Sequence, residues 1–301
     1  MSDTLFRQLA LDDLPRVAPV RRRALATLAD EGEAPERPRP DVAPELVHIV
    51  RTDPDLAWIA EEDGRPLGYA LGTVRDRLCT VSHLFVDPEL HERDIGGRLL
   101  ERLLRAADAR GATRRWVVAS SSVPAHALYL RHGMYDRALL YPLRGRLAAL
   151  LTQPEPRSPL RLARPTACPE WLERMTELDR AVRGAARPED HEFFLGLPDS
   201  GCRALLDGQR ILGYVYFWQM GHIGPLAAAE TSLALPLLRV AADRLRRMRV
   251  DSVTFHVPSC NETVLDFAME RRFVIRRINS LMTSGLWGQL DRYLPSGGVL
   301  M

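Results

Sequence analysis

The order of sequence signals in the first half of the chain recurs in the second half. An Asp-Gly turn that leads into an apolar strand pattern occupies residues 63–70 (DGRPLGYA), and a similar run occupies residues 207–215 (DGQRILGYV). Late in each half a polar turn precedes a helix and a strand, at residues 121–135 and 259–274. Such correspondence over a whole half is an internal repeat, and it predicts two copies of one fold.

Length and composition support this division. A chain of 301 residues is comfortable for two domains, and its 46% hydrophobic content allows each half to bury a core. Residues 152–159 (TQPEPRSP) hold three prolines among polar residues, which is the composition of a linker. We therefore predict domains at residues 1–150 and 161–301, joined by a Pro-rich linker at residues 151–160.

Charge and cysteine spacing argue against several classes of function. A formal net charge of +2 removes the main electrostatic argument for nucleic-acid binding. The cysteines at positions 79, 168, 202 and 260 form no Cys-x-x-Cys pair, so a zinc site or disulfide framework is unsupported. The N-terminus lacks a basic-then-apolar signal, and no run approaches the roughly 18 apolar residues of a membrane span. A cytoplasmic protein without a membrane partner is expected.

One run, residues 84–98, predicts a binding site as well as a fold. The apolar residues Leu84, Phe85 and Val86 lead to a Pro-marked turn, and a charged loop with Gly96 and Gly97 follows. The next segment has the apolar spacing of one buried helix face, at Leu99, Leu100, Leu103, Leu104 and Ala107. A helix N-terminus exposes unpaired N–H groups and carries partial positive charge, so it is a natural seat for phosphate.

These residues resemble the acetyl-CoA loop of the GNAT superfamily of N-acetyltransferases. That loop runs from a strand through Val-x-Pro to Gln/Arg-x-x-Gly-x-Gly/Ala at the start of a helix. Here His91 takes the Gln/Arg position, Asp94 the first Gly and Gly96 the second. The resemblance implies an α/β fold with a mixed sheet of the α+β type, and together with the repeat it implies two tandem GNAT folds.

The resemblance also implies that the first half binds acetyl-CoA as a co-substrate, without a metal. The pantetheine arm of the cofactor would pair with the exposed backbone of the strand at residues 84–86. The residues implied in cofactor binding are Leu84, Phe85, Val86, His91, Arg93, Asp94, Ile95, Gly96, Gly97, Arg98 and Ser122.

Tyr129 is the candidate general acid. In many GNAT proteins a Tyr seven residues after an Asn that starts a helix protonates the departing thiolate. Tyr129 falls at that position, with Ser122 in place of the Asn and Gly133 four residues later. A phenol with a pKa near ~10 is a plausible proton donor to a thiolate of comparable basicity. The alternative is a Tyr that anchors its ring in the core.

The second half lacks these parts. Its corresponding strand, residues 222–229, passes into a Leu-rich helix without a Gly-rich or Arg-bearing loop. Ala268 occupies the position of Tyr129, and Ala cannot donate a proton. We therefore predict a degenerate GNAT-like domain at residues 161–301, so that any catalysis belongs to the first half.

The carboxylates in the loop and the general base are left open by the sequence. Glu92 and Asp94 stand where the family usually has Gly; Asp tolerates the left-handed backbone, but its charge would repel a phosphate. Strand alternation places Thr80 and Ser82 on one face and His83 on the opposite face. The resemblance implies that the face of Thr80 and Ser82 is the one toward the cleft. A base at His83, a water relay and an acceptor that arrives neutral all remain open.

Two functions follow from these observations. The first is an acetyl-CoA-dependent N-acetyltransferase that transfers an acetyl group to a primary amine of a small molecule by direct attack. The rival is a non-catalytic tandem GNAT-fold protein for ligand sensing or assembly. In either case we expect a monomer or homodimer with no nucleic-acid partner.

Overall fold

The computed structural model describes residues 4–30, 40–152 and 160–301. Most of the predicted linker therefore lies outside the described residues. The chain forms two compact units: unit 1 comprises Met1–Tyr135 with Met282–Gly285, and unit 2 comprises Asp136–Leu281 with Leu286–Met301. Both units combine sheets with helices, and the sheet of unit 1 is mixed, as the fold prediction requires. No helix in the described ranges is long and apolar enough to cross a membrane.

Unit 1 is built on one sheet with strand order β1-β2-β3-β4-β5, antiparallel up to β4 and parallel between β4 and β5. Its strands are β1 (Leu5–Gln8), β2 (Ala57–Glu62), β3 (Arg65–Arg75), β4 (Leu78–Val86) and β5 (Arg114–Ala119). Its helices are α1 (Leu14–Asp30), α2 (Pro44–Thr52), α3 (Ile95–Ala109) and α4 (Val123–Arg131).

The predicted apolar face of α3 is confirmed. Leu99, Leu100, Leu103, Leu104 and Ala107 are all buried, at 3% exposure or less. The helix packs closely on the sheet because β3 presents glycine there: a Cβ added at Gly72 would lie 2.9 Å from the Thr80 carbonyl oxygen and 3.1 Å from Leu103. The parallel β4–α3–β5 crossover is therefore held by a continuous core.

Asp87 fastens the end of β4 to two other elements. Its carboxylate is buried and accepts hydrogen bonds from Arg23 of α1 at 2.7 Å and from Arg65 of β3 at 3.2 Å. Burial by itself raises the pKa of this carboxyl, but the hydrogen bonds and charges of the two arginines outweigh it and hold the pKa below its usual range.

Unit 2 repeats the strand–helix order, as the sequence repeat predicts. Its segments, in chain order, are β6 (Tyr135–Arg146), α5 (Leu147–Leu150), β7 (Arg161–Ala163), α6 (Pro169–Val182), α7 (Pro188–Gly196), β8 (Ser200–Asp207), β9 (Arg210–Trp218), β10 (Ile223–Ala228), α8 (Ala234–Arg247), β11 (Ser252–Pro258), α9 (Glu262–Glu270), β12 (Val274–Ile275), β13 (Asn279–Thr283) and β14 (Tyr293–Leu294). One sheet has the order β14-β10-β9-β8-β7, and β6 pairs with β11 and β12.

The two units exchange strands, so they divide the chain at different places from the predicted domains. Leu143, Leu147 and Leu150, from the predicted first domain, lie in the core of unit 2. In the other direction, Met282 is fully buried in the core of unit 1, and the Ser284 N–H donates to the Arg115 carbonyl of β5 at 3.1 Å. Each unit is thus completed by residues from the opposite half of the sequence.

Replacing Met282 with Ala is expected to destabilise unit 1, although the residue lies far along the chain. Truncation of a buried Met costs about 2–5 kcal/mol in comparable cores. Hydrogen exchange should show faster exchange at the amides of α3 and β5. Met269→Ala, at a position 43% exposed on α9, is the matched control and should leave those amides protected. Unchanged protection in Met282→Ala would contradict the exchange of strands.

Acidification is expected to weaken unit 1 through Asp87. Because the folded-state pKa is lowered, the stabilisation is complete above the unfolded value of about 3.9 and is lost as the pH falls below it. Urea unfolding from about pH 6 to about pH 3 should show this loss, with a smaller pH dependence in Asp87→Asn. Glu89→Gln, which removes an exposed carboxylate two positions on, should keep the pH dependence. Equal dependence in wild type and Asp87→Asn would refute the assignment.

Candidate active site

The sheet of unit 1 opens between β4 and β5. Residues 78–81 of β4 pair with residues 114–117 of β5, and the pairing stops there in the described chain. Beyond that point Leu84, Phe85 and Val86 pair with Ala70, Tyr69 and Gly68 of β3 on one side. No described strand pairs with their other side, so the backbone of residues 84–86 forms an open edge. Such an edge can accept an extended ligand as an additional strand.

A β-bulge precedes this open edge and changes the predicted orientation of His83. The register shifts between the pairs Gly72–Val81 and Leu71–His83, leaving Ser82 as the extra residue. Val81 and Leu84 both pack with the α3-side core, so His83 lies on the opposite face of the sheet, the face of Thr80. The expectation that His83 faces away from Thr80 is therefore wrong, because simple alternation cannot anticipate the bulge.

His83 contacts two aromatic side chains on this face. Its Nδ1 lies 3.0 Å from the Tyr69 hydroxyl, and its ring centre lies 5.2 Å from that of Phe85. Burial raises the pKa of Tyr69, so this phenol stays protonated. Its oxygen can accept the Nδ1–H of the imidazole, which leaves the lone pair of His83 on Nε2. The imidazole itself is 9% exposed.

The helix α3 begins at the predicted phosphate seat, with Asp94 in the left-handed conformation. Its φ of 49° and ψ of 28° confirm the expected turn. A Cβ added at Gly97 would lie 2.3 Å from Asp94 Oδ1, so the carboxylate rests against the first turn of the helix and requires glycine there. A negative charge is favoured at a helix N-terminus. The same charge opposes a phosphate at this place.

The two arginines of the loop have partners elsewhere in unit 1. Arg93 is bound to Glu62, with Nη1 3.0 Å from Oε2, and also donates to the Thr4 hydroxyl at 2.9 Å. The Arg98 guanidinium lies 4.2 Å from the centre of the Phe6 ring. Contacts with β2, with β1 and with the residue before β1 therefore hold these two arginine side chains. His91 belongs to the 3-10 turn Pro88–Arg93, but its side chain, like that of Glu92, lies outside the described part.

Three predicted segments meet around Gly96. A Cβ added there would lie 3.5 Å from Val86 and 3.7 Å from Leu128, so the end of β4, the start of α3 and α4 are neighbours. Ile95, at the first position of α3, is buried in the same core. Ser122 caps α4 by position, and its carbonyl oxygen accepts from the His126 N–H at 3.0 Å.

Tyr129 lies in α4 with its ring in the core of unit 1. It is 6% exposed, and no hydrogen bond to its hydroxyl comes from the described residues. Burial raises its pKa, so the phenol is neutral at ordinary pH and holds its proton. The burial of the ring fits the alternative of an aromatic anchor in the core, and the phenol keeps the proton that a general acid would need.

In unit 2, the strand edge that is equivalent to the open edge of unit 1 is paired with another strand. Leu226 and Ala227 of β10 pair with β9 as Leu84 and Phe85 pair with β3. On their other side they pair with Leu294 and Tyr293 of β14. The chain's own residues thus take the place that an extended ligand would use. This strand had no recognisable signal in the sequence, because two residues are too short for a periodic pattern.

The structure holds no described cluster of three His, Cys, Asp or Glu side chains placed to bind a metal ion. Ala268, at the position corresponding to Tyr129, is fully buried in the core of unit 2. Both the missing proton donor and the closed strand edge distinguish unit 2 from unit 1.

Sequence comparison relates the site-bearing part of the chain to one family. The sequence model of the acetyltransferase (GNAT) family matches residues 22–134. No curated protein matches the sequence.

Solved structures share the fold over nearly the whole chain. A candidate acetyltransferase from Pyrococcus horikoshii has a TM-score of 0.75 at 18% identity, covering 99% of this chain and 96% of its own. A tandem GNAT protein from the clavulanic acid biosynthesis pathway has a TM-score of 0.60 at 16% identity, covering 94% and 99%. A GCN5-related N-acetyltransferase from Sphaerobacter thermophilus has a TM-score of 0.62 at 15% identity, covering 93% and 95%.

Identities this low relate folds and do not transfer substrates. Within that limit, three observations point to the same fold: the family match, the open edge of β4 and the repeated architecture. Residues 22–134 therefore match the acetyltransferase (GNAT) family, and the chain has the fold of tandem GNAT proteins.

Proposed function

We propose that this protein is an acetyl-CoA-dependent N-acetyltransferase that acetylates a primary amine of a small molecule in unit 1. The observation that carries the proposal is the open backbone edge at residues 84–86, beside the N-terminus of α3 and within the family-matching domain. Acetyl-CoA would supply the thioester whose acetyl group is transferred.

Different groups of the chain would bind different parts of acetyl-CoA. Backbone groups of residues 84–86 would pair with the pantetheine amides, as in strand addition. The first amides of α3, at Ile95, Gly96 and Gly97, would face the pyrophosphate. Asp94 weakens this second contact, because a carboxylate ~4 Å from a phosphate costs about 1–4 kcal/mol between bulk-water and surface-like dielectric. We expect the pantetheine arm to contribute the larger share of affinity.

Two side chains are assigned to proton transfer. Tyr129, which keeps its proton because burial raises its pKa, would donate to the departing thiolate. His83 is our candidate for accepting the proton of the amine, since the bulge turns it to the face opposite α3. Its hydrogen bond with Tyr69 would fix the orientation of the imidazole ring.

Ligand sensing without turnover is the second candidate function. The carboxylate of Asp94 against the first turn of α3 favours it, because it weakens the only phosphate seat that we identify in the described part of unit 1. The two functions differ in one outcome. An enzyme releases free thiol from acetyl-CoA when an amine is present, whereas a sensor binds acetyl-CoA and leaves it intact.

Replacing Asp94 with Asn is expected to tighten acetyl-CoA binding by roughly 10-fold or more, because the charge is removed while Asn still tolerates the left-handed backbone. Calorimetry with acetyl-CoA measures the change. Glu101→Gln, on the exposed surface of the same helix, removes one charge farther along and should alter affinity little. Equal or weaker binding in Asp94→Asn would show that the carboxylate serves the site or points away from the ligand.

Replacing Tyr129 with Phe is expected to lower turnover by about 100-fold while acetyl-CoA affinity stays nearly intact, because only the proton donor is lost. A thiol-release assay over a panel of small amines, alongside calorimetry, separates these quantities. Tyr135→Phe, at a position 51% exposed, is the control. An unchanged turnover number would remove Tyr129 from the mechanism. Binding of acetyl-CoA without thiol release across the panel would favour the sensor.

A further inference from the structure

A cavity of about 350 Å³ lies within unit 2, beside the end of β10. Its walls come from α6, the start of β9, the end of β10 and the segment that leads into β14. The polar lining consists of Arg174, Glu177, Arg210, Gln289 and Arg292, and the remaining wall is aliphatic apart from the backbone at Ala229. A volume of this size matches the lower end of small-molecule sites, about 300–1,000 Å³.

Equivalent backbone hydrogen bonds in the two units show which residue of unit 1 corresponds to Ala229 in the cavity wall. In unit 1 the Asp87 N–H donates to the Leu67 carbonyl at 2.8 Å, directly after β4. In unit 2 the Ala229 N–H donates to the Leu212 carbonyl at 2.7 Å, directly after β10. Ala229 is therefore the structural counterpart of Asp87. Unit 1 has a carboxylate at this place, and unit 2 has a methyl group.

Unit 2 has an arginine at the position equivalent to Arg65, the partner of Asp87 in unit 1, although it has no carboxylate at the position equivalent to Asp87. Arg65 opens β3 opposite Glu62, and Arg210 opens β9 opposite Asp207. Arg65 binds the Asp87 carboxylate at 3.2 Å. Arg210 has neither a hydrogen bond nor an ion pair to any described residue. Arg210 is exposed, so water solvates its charge at the cavity wall.

The other two arginines retain unused hydrogen-bonding capacity. Arg292 donates from Nη1 to the Ala229 carbonyl at 2.9 Å, while its buried Nε finds no hydrogen-bond acceptor in the described chain and lies 3.7 Å from an Asp291 oxygen. Arg174 donates to the Gln209 carbonyl and lies 3.6 Å from Glu170, and its Nε is likewise without an acceptor there.

The balance of charge on the cavity wall is positive. Among the residues that line the cavity, three guanidinium groups stand beside one carboxylate, Glu177, which is exposed. Two of the three arginines also have a carboxylate outside the lining within 4 Å, Glu170 for Arg174 and Asp291 for Arg292. Guanidinium groups pair with carboxylates and phosphates in matching planar geometry. An anion that entered the cavity would take the role that the Asp87 side chain plays in unit 1.

We propose that this cavity of unit 2 binds a small organic anion through a carboxylate or phosphate group. The proposal goes beyond acetyl transfer, since it concerns the unit that lacks both the open edge and the counterpart of Tyr129. It gives the second unit a ligand of its own.

The test compares the response of melting temperature and calorimetry to two probes, inorganic phosphate and succinate, each at up to ~10 mM against sodium chloride of equal ionic strength. A native-state ligand raises the melting temperature, so at least one probe should do so. A response to phosphate alone, or to succinate alone, identifies which anionic group the cavity prefers. Absence of any response to both probes overturns the proposal.

Variants locate the response. Arg210→Gln should weaken binding about 10-fold or more, and Ala229→Asp should abolish it by supplying the missing carboxylate from the protein. Glu177→Gln should strengthen it. Arg247→Gln, an equal loss of charge on the exposed surface of α8, should leave it unchanged. If Arg210→Gln and Ala229→Asp both respond as wild type does, the anion binds elsewhere, at the N-terminus of α3 for example, and the proposal fails.

Acetyl-CoA titration of the same variants distinguishes a failure of the anion-site proposal from a failure of the proposed transferase activity. Arg210→Gln should bind acetyl-CoA with wild-type affinity, because the open edge belongs to unit 1. Loss of acetyl-CoA binding in Arg210→Gln would contradict the independence of the two sites.

Discussion

Backbone groups at a strand edge need hydrogen-bond partners, and the two units differ in how that need is met. In unit 1 the end of β4 separates from β5 and leaves residues 84–86 open on one side. In unit 2 the corresponding edge of β10 is covered by β14. The same fold therefore leaves this edge open in the first unit and pairs it with its own chain in the second. The degeneracy of unit 2 is a matter of backbone pairing as well as of lost side chains.

The two units also differ in the charged side chains that they carry at equivalent positions. In unit 1 an aspartate side chain occupies each of two positively charged sites. Asp87 lies between two arginines, and Asp94 lies at the N-terminus of α3. Asp87 ties three elements together, so it acts as internal structure. Asp94 stands at the surface, where its charge competes with an incoming phosphate. Unit 2 has lost the counterpart of Asp87 and keeps the arginine that faced it, which leaves positive charge on a cavity wall.

Local features of the site could be predicted from the sequence, and long-range features could not. The apolar spacing of α3 and the left-handed turn at Asp94 depend on neighbouring residues, and both are confirmed. The orientation of His83 was missed because one extra residue at Ser82 resets the alternation of side chains. The exchange of strands was missed because pairing partners more than a hundred residues apart have no local signal. The partners of Arg93 and Arg98 likewise come from β1, β2 and their neighbours, far away in the sequence.

The exchange of strands has a consequence for how the protein is made. A ribosome releases residues 1–135 long before it reaches Met282–Gly285, the segment that completes the core of unit 1. During that interval β5 has an unpaired side, and the core lacks Met282. Exposed strand edges and incomplete cores are the features that recruit chaperones and promote aggregation during synthesis. The core of unit 1 is therefore complete only after residues 282–285 have been synthesised.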